Sequence, residues 1–136
     1  MLVLKAPRRL LLLRGAQVLR EYEIALGRNP TGPKRHRGDG RTPEGRYRID
    51  SRVVESRFHR ALRISYPNEQ DLDFARRAGI PPGGDVMIHG LPAGERWVGD
   101  VHREYDWTNG CIALTDDEMS EVWELVDDGT PIEIRP

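Results

Sequence analysis

One cysteine and one histidine of this chain have neighbours that suit nucleophilic catalysis. The single cysteine, Cys111, directly follows Thr108–Asn109–Gly110, and His89 ends the apolar run Val86–Met87–Ile88 just before Gly90. A glycine before a nucleophile lets the backbone turn tightly and bring N–H groups toward a reacting carbonyl oxygen. A histidine at a strand end can reach a thiol elsewhere in the fold and lower its pKa. The residues alone leave two interpretations open, a catalytic Cys–His pair or a buried structural cysteine with a hydrogen-bonded core histidine.

The other histidines offer little support for a metal site. His36 lies in a Gly- and Pro-rich segment, His59 precedes a strand pattern, and His102 stands nine residues before Cys111. A zinc site made of His89, His102 and Cys111 is conceivable, but no two of them have the close spacing typical of metal ligands. The sequence therefore predicts no metal.

Length and composition restrict the class of protein. With 136 residues and 15.5 kDa, the chain fits one domain that spans residues 1–136. Its 38% hydrophobic and 32% charged residues are too apolar for a disordered tail and too polar for a membrane protein. A net charge of −1 argues against a nucleic-acid-binding protein. No apolar run approaches the roughly 18 residues of a membrane span, and one cysteine excludes an internal disulfide.

The N-terminal segment MLVLKAPRRLLLL is predicted to hold a strand rather than a signal peptide. Arg8 and Arg9 precede only four leucines and Arg14 follows them. A signal peptide needs about 7–15 apolar residues and a small-residue cleavage site. We therefore predict a strand over Leu10–Leu13. No export signal is visible, so the expectation is a cytoplasmic protein or one whose export segment is absent from this sequence.

Alternation with a period of two predicts strands along most of the chain. After a predicted hairpin turn at Arg14–Gln17, the inward residues of one strand are expected to be Val18, Tyr22, Ile24 and Leu26. Further alternating segments are Tyr47–Val53, Leu62–Tyr66 and Ile132–Ile134. The intervening segment Asn29–Gly45 concentrates Gly, Pro, Asn and Asp and is predicted to be a loop.

Two segments carry helix signals. Asn68 suits the N-cap of a helix over Glu69–Ala78, and Gly79 suits its left-handed C-terminal cap. Thr115 and Glu118 form a capping box before a second helix over residues 116–127. The predicted apolar faces are Leu72, Ala75 and Ala78 in the first helix and Met119, Val122, Trp123 and Val126 in the second. The fold class expected is mostly β (α+β) with two short helices, without the strand–helix alternation of a parallel sheet.

Four segments in order resemble the catalytic domain of the L,D-transpeptidases, cysteine enzymes that cross-link peptidoglycan. These segments are Asn29–Lys34 (NPTGPK), Gly38–Tyr47 (GDGRTPEGRY), Ile88–Gly90 (IHG) and Thr108–Ile112 (TNGCI). The second is similar to the family pattern G-D-x-x-T-P-x-G-x-[YF]. The resemblance covers nearly the whole chain and implies a single β-sandwich or barrel domain.

The chemistry that this resemblance implies is acyl transfer without a cofactor. Cys111 is the expected nucleophile and His89 the general base and acid, with the N–H groups of Gly110 and Cys111 expected to form the oxyanion hole. The implied substrate is the stem tetrapeptide of peptidoglycan, from which D-alanine is released as Cys111 forms a thioester. An amine then completes a 3→3 cross-link or an exchange. A backbone carbonyl is expected to orient the histidine, and Gly90 is near that place.

Substrate-binding residues are expected around this pair. They are Tyr66, Asn68, Gly90, Trp107, Thr108 and Asn109. Tyr66 and Asn68 have a structural alternative, since the tyrosine ends an apolar alternation and the asparagine suits a helix cap. The cationic cluster Lys34–Arg37 is interpreted as a solvated charged loop rather than as a surface that steers an anionic substrate.

Two departures from the commonest pattern, [ST]-H-G-C-[IV]-[RN], bear on the reaction. Asn109 stands at the histidine position and Ala113 at the final polar position. The string DWTNGCIAL resembles a subgroup that includes hydrolases. One alternative is therefore an L,D-carboxypeptidase or an amidase that cleaves a protein–peptidoglycan link, and a second is a catalytically silent wall-binding module. The resemblance also implies a place in the cell envelope or periplasm and acylation of Cys111 by carbapenems.

Overall fold

A sheet of eight strands dominates the computed structural model, which describes residues 1–56 and 59–136. The strands are β1 (Leu2–Leu4), β2 (Arg9–Arg14), β3 (Gln17–Glu23), β4 (Gly45–Ser56), β5 (His59–Ile64), β6 (Met87–His89), β7 (Ile112–Ala113) and β8 (Pro131–Arg135). The helices are α1 (Glu69–Ala78), α2 (Asp116–Leu125) and a 3₁₀ helix over Arg96–Glu104. The mostly β prediction is confirmed, and the 3₁₀ helix is an element that the sequence patterns did not predict.

The sheet is mixed, with the strand order β3-β2-β1-β8-β4-β5-β6-β7. Most neighbouring strands are antiparallel, but β1 pairs with β8 and β6 pairs with β7 in parallel. These parallel pairs were not expected from the sequence. β1 has three residues and β7 has two, which is too short to leave a readable alternation.

The two edges of the sheet approach each other through the chain that leaves β3. Ala25 and Ala113 exchange two backbone hydrogen bonds, with N···O distances of 3.1 and 2.9 Å. A parallel bridge then joins Gly27 to Thr108. The sheet is thereby closed beside β7, in agreement with the expected sandwich or barrel domain.

The β2–β3 hairpin confirms the predicted turn and corrects one predicted core residue. Arg14 pairs with Gln17 across the turn. Tyr22, Ile24 and Leu26 are buried as predicted, but Val18 is 51% exposed. The register shifts between Leu12 and Leu13, and this irregularity leaves Val18 at the end of the hairpin, beyond the core.

Helix α1 has the predicted ends but not the predicted apolar face. Asn68 accepts the Asp71 N–H in a capping box, and Gly79 adopts φ 68° at the C-terminal cap. Only Ala75 is buried, whereas Leu72 and Ala78 are exposed. The helix lies on the surface, so its caps rather than a buried stripe define it.

Helix α2 matches both its predicted cap and its predicted face. Thr115 and Glu118 form the capping box, and the helix ends at Leu125, two residues before the expected end. Met119, Val122 and Val126 are buried, and Trp123 packs partly against the core. In the part of the chain that the structure describes, no helix has the length and apolar character needed to cross a membrane.

Candidate active site

Strands β6 and β7 place Cys111 and His89 on one face of the sheet. Their parallel register pairs Ile88 with Ile112 and His89 with Ala113. One residue earlier, Cys111 lies beside Met87, and the Met87 N–H donates to Cys111 Sγ at 3.4 Å. Because side chains alternate between the faces of a sheet, Cys111 and His89 project to the same side of neighbouring strands.

Cys111 is a protonated thiol in this environment. Sγ accepts the Met87 N–H and itself donates to the Asp85 carbonyl oxygen at 3.5 Å. Burial raises the pKa of Cys111, and it outweighs the Met87 hydrogen bond and the positive charge of Lys34, which lower it. Cys111 as a residue is half-buried and so keeps part of its surface in contact with solvent.

His89 is held as a neutral base. Its side chain is 2% exposed, and Nδ1 donates to the Gly90 carbonyl oxygen at 2.7 Å. Since a carbonyl only accepts, the proton is on Nδ1 and Nε2 carries the lone pair. Burial lowers the pKa of His89 to about 4, the bond to Gly90 opposes this, and the charge of His102 adds to it. The thiol and the imidazole are therefore both neutral before any reaction.

Trp107 separates His89 from a second buried imidazole. The Trp107 ring stands edge-on to His89 at a centroid distance of 5.8 Å and edge-on to His102 at 6.5 Å. Trp107 Nε1 donates to His102 Nδ1 at 3.5 Å, and burial lowers the pKa of His102. Within the described residues, His102 Nε2 is buried without a hydrogen-bond partner.

The turn before Cys111 is held by its own side chains. Thr108 Oγ1 accepts the Gly110 N–H at 3.1 Å and donates to the Cys111 carbonyl oxygen at 2.7 Å. At the start of the turn, Asp106 accepts the Leu26 N–H and pairs with Arg8 at 2.8 Å. These bonds tie the nucleophile turn to the chain that follows β3.

The Gly- and Pro-rich loop packs directly against this turn. Gly110 has φ 135°, and a Cβ on it would lie 2.6 Å from the Arg41 carbonyl oxygen. A Cβ on Gly27 would lie 2.2 Å from the Gly40 carbonyl oxygen, and the Gly27 N–H donates to Thr42 Oγ1 at 3.0 Å. Glycine is therefore required where these backbones meet.

One predicted oxyanion-hole group and two predicted groove residues in the turn already have hydrogen-bond partners. The Gly110 N–H, expected in the oxyanion hole with that of Cys111, is bound to Thr108, which is itself buried. Asn109 is exposed, and its side-chain oxygen accepts from the Arg28 guanidinium. The oxyanion hole and the substrate roles of Thr108 and Asn109 stay predictions.

Tyr66 and Asn68 support the surroundings of the site. The Tyr66 hydroxyl donates to the Pro82 carbonyl oxygen at 2.8 Å and so braces the segment that leads to Asp85, the acceptor of the Cys111 thiol. The Asn68 side chain accepts the Asp71 N–H at the cap of α1 and donates to the Arg46 carbonyl oxygen. Their predicted contact with substrate stays a prediction.

The interpretation of residues 34–37 as a solvated charged loop is wrong for Lys34. Its side chain is 4% exposed and pairs with Asp39 at 2.9 Å. The sequence did contain a signal for this ion pair, since it places opposite charges five residues apart in a Gly-rich loop. The main-chain groups of Met87 and Asp85 left no such signal, because any residue supplies them.

The described residues hold no group of three His, Cys, Asp or Glu side chains arranged to bind a metal ion. The groups that the structure does present are a half-buried thiol and, on the same face of the sheet, a buried imidazole whose orientation is set by the Gly90 carbonyl.

The fold and the Cys111–His89 pair place this chain among the mixed-sheet domains that carry a cysteine in the site. Comparison with known proteins identifies the family. The YkuD family, the L,D-transpeptidase catalytic domain, matches residues 1–134. The chain belongs to this family. "Putative L,D-transpeptidase YafK" of Escherichia coli (strain K12) is 30% identical over 113 residues, which cover 81% of this chain and 38% of YafK.

Solved structures share this fold. A mutant form of the helical cell shape determining protein Pgp2 from Campylobacter jejuni has a TM-score of 0.73 and 25% identity, over 98% of this chain and 45% of Pgp2. The L,D-transpeptidase LdtMt1 in complex with imipenem has a TM-score of 0.61 and 19% identity, over 98% of this chain and 56% of that one. The chain thus spans about half, or less, of the length of these relatives.

Replacing Gly110 by alanine is expected to destabilise the domain more than the same change at Gly38. Both residues have positive φ, but a Cβ at Gly38 meets nothing within 4 Å, whereas one at Gly110 meets Arg41. The excess loss in the free energy of unfolding is expected to be about 1–3 kcal/mol, the usual range for overpacking. Urea unfolding of the two variants measures it, and equal losses would contradict the required close approach.

The buried His89 is expected to make the domain less stable in mild acid. Its folded pKa of about 4 lies below the ordinary 6.5, so the unfolded chain binds more protons between these values. The free energy of unfolding should therefore decrease as the pH falls from 7 to 5, with His89 contributing about 2 kcal/mol.

Urea titrations of wild type, His89→Gln and the exposed-site control His36→Gln at both pH values test this contribution. His89→Gln should lose that part of the decrease, and His36→Gln should keep it. An unchanged pH dependence in His89→Gln would show that the histidine is not a buried neutral base.

Proposed function

We propose that this chain is a cysteine-dependent L,D-transpeptidase that acts on peptidoglycan stem tetrapeptides through a thioester on Cys111. The observation that carries the proposal is the pairing of strands β6 and β7. It puts Cys111 and His89 on the same face of neighbouring strands, and His89 Nδ1 donates to the Gly90 carbonyl oxygen, so Nε2 is the nitrogen that we propose as the base. Family membership supports the same chemistry.

In the proposed reaction, His89 Nε2 takes the thiol proton as Cys111 Sγ attacks the carbonyl carbon that joins the diamino acid to the terminal D-alanine. The negative charge that develops on the carbonyl oxygen is stabilised by the N–H groups of Gly110 and Cys111. The Gly110 N–H must first leave Thr108 Oγ1.

When the C–N bond breaks, the proton on His89 passes to the leaving amine, and D-alanine departs. An acceptor amine then attacks the thioester and gives up a proton to His89. The C–S bond breaks and the proton returns to Cys111, so the enzyme ends in its starting state.

Two of the expected substrate-binding residues are the best placed around this centre. Trp107 stands edge-on to His89, and Asn109 is exposed two residues before Cys111. The other four expected substrate-binding residues have a structural role in this geometry, because they bond to, or are part of, the backbone segments around the site. They are Tyr66, Asn68, Gly90 and Thr108. We assign the groove itself to the Trp107–Asn109 side of the thiol.

Peptidoglycan as substrate also bears on where the protein works. The family is described as an L,D-transpeptidase catalytic domain, and one similar structure is of a cell shape determining protein. We therefore place the activity in the cell envelope or periplasm. Because the chain spans 38% of YafK and 45% of Pgp2, this proposal concerns the catalytic domain.

A hydrolase of the same chemistry is the second candidate, either an L,D-carboxypeptidase or an amidase that cleaves a protein–peptidoglycan link. The favouring observation is Asn109. It stands where the commonest family pattern has a histidine, and because a carboxamide is not a base, this departure removes a candidate second base.

Mass spectrometry of the products separates these functions. Wild type and Cys111→Ala are incubated with purified disaccharide-tetrapeptide and a free D-amino acid. We expect loss of D-alanine with exchange or dimer formation in wild type and no reaction in Cys111→Ala. Loss of D-alanine to water alone identifies the carboxypeptidase.

If wild type leaves the disaccharide-tetrapeptide unchanged, a second substrate is tested, a protein linked to the stem peptide. Cleavage of that link by wild type and not by Cys111→Ala identifies the amidase. No reaction with either substrate would overturn the enzymatic proposal in favour of the silent wall-binding module.

A carbapenem is expected to acylate Cys111, since the fold relative LdtMt1 has been solved with imipenem. Intact-mass spectra of freshly reduced protein after incubation with imipenem should show one adduct in wild type and none in Cys111→Ala. His36→Gln, changed at an exposed site, serves as the matched control and should label like wild type. Absence of the adduct from wild type would count against a family-type nucleophile.

A further inference from the structure

Lys34 is a buried cation held by a buried anion. The two side chains are 4% and 5% exposed, and Lys34 Nζ lies 2.9 Å from Asp39 Oδ1. A second Nζ proton is directed at the His36 carbonyl oxygen at 3.3 Å. Such pairs persist only where further hydrogen bonds satisfy both partners.

Asp39 is a rigid anchor for this lysine. Its carboxylate accepts the backbone N–H groups of Arg35 at 2.8 Å, His36 at 3.1 Å and Arg41 at 3.1 Å. Burial opposes ionisation of Asp39, but these bonds and Lys34 prevail and lower its pKa to about 2. The loop is therefore organised around one carboxylate, and the ammonium has little freedom to move.

The ammonium lies against the two segments that surround the thiol. A Cβ on Gly110 would be 3.8 Å from Lys34 Nζ, and a Cβ on Gly83 would be 3.4 Å from Lys34 Cε. Gly110 directly precedes Cys111. Gly83 lies two residues before Asp85, whose carbonyl oxygen accepts a hydrogen bond from the Cys111 thiol.

Few of the described groups favour a thiolate at the proposed nucleophile. Burial disfavours its thiolate, and the Asp85 carboxylate disfavours it further. His89, the neighbouring imidazole, is neutral in the resting site. In the part of the chain that the structure describes, the Met87 N–H and the Lys34 ammonium favour the thiolate.

We propose that Lys34, anchored by Asp39, is a positioning residue that supplies a fixed positive charge to the thiolate of Cys111. It acts through the nucleophile and has no contact with substrate. The inference deepens the proposed function and rests on it only in taking Cys111 as the nucleophile. A solvated lysine would do less, because water screens its charge and its side chain moves freely.

The test is the pH dependence of Cys111 alkylation by iodoacetamide, which needs no peptidoglycan. Wild type is compared with Lys34→Met, Lys34→Arg and a matched control, Lys5→Met. Lys5 is also a buried lysine, 2% exposed, and it pairs with Glu44 at 3.0 Å while bonding to two carbonyl groups of the same loop. Its removal reproduces the loss of a buried ion pair without removing the charge beside Gly110.

The midpoint of the alkylation profile is expected to move up by about one pH unit in Lys34→Met, as removal of a nearby unit charge implies. Lys34→Arg should stay close to wild type, and Lys5→Met should not move the midpoint even if it melts earlier. A folded Lys34→Met protein with the wild-type midpoint, or an equal shift in Lys5→Met, would overturn the proposal.

If Lys34→Met does not fold, Lys34→Met/Asp39→Asn removes both charges together and is measured instead, with the same shift expected and the wild-type midpoint again overturning the proposal. A shifted midpoint in a protein with no activity on peptidoglycan would support this inference and contradict the proposed function. Normal peptidoglycan products with no shift of the alkylation midpoint would support the proposed function and contradict this inference.

Discussion

Three backbone segments meet at Gly27, Gly40 and Gly110 with no room for a side chain between them. The chain that leaves β3, the Gly- and Pro-rich loop and the turn before Cys111 are thereby held at main-chain distance. Thr42 adds a hydrogen bond to the Gly27 N–H, and the sheet closes beside this contact where Ala25 meets β7. The position of the thiol depends on all three segments, so a loop that contributes nothing to the reacting atoms still determines where they lie.

The electrostatics of the site follow from this close packing. Burial leaves the thiol and the imidazole both neutral, since it disfavours either charged form. Main-chain groups then set the detail: the Gly90 carbonyl selects the His89 tautomer, and the Met87 N–H faces the sulfur. The reaction we propose creates charge only during proton transfer, in a place where fixed dipoles and the Lys34 ammonium replace solvent.

Prediction from the sequence succeeded where the signal was local. The caps at Asn68, Gly79 and Thr115, the Arg14–Gln17 turn and the alternating strands involve residues within a few positions of one another. It failed where a distant segment decides the outcome. Val18 is exposed because of a register shift, the apolar residues of α1 find no core to cover, and the two-residue strand β7 exists only through its partners.

Periodicity, caps and motif order are properties of neighbouring residues, and they sufficed to predict the types of most elements, the family and the two candidate reactive side chains. The environment of those two side chains, in contrast, depends on residues far away in the chain. Met87 and Cys111 are 24 residues apart, and Lys34 is buried by segments far from it in the chain. Burial, tautomer and charge environment are set by such long-range packing, which leaves no pattern in the residues around Cys111 or His89.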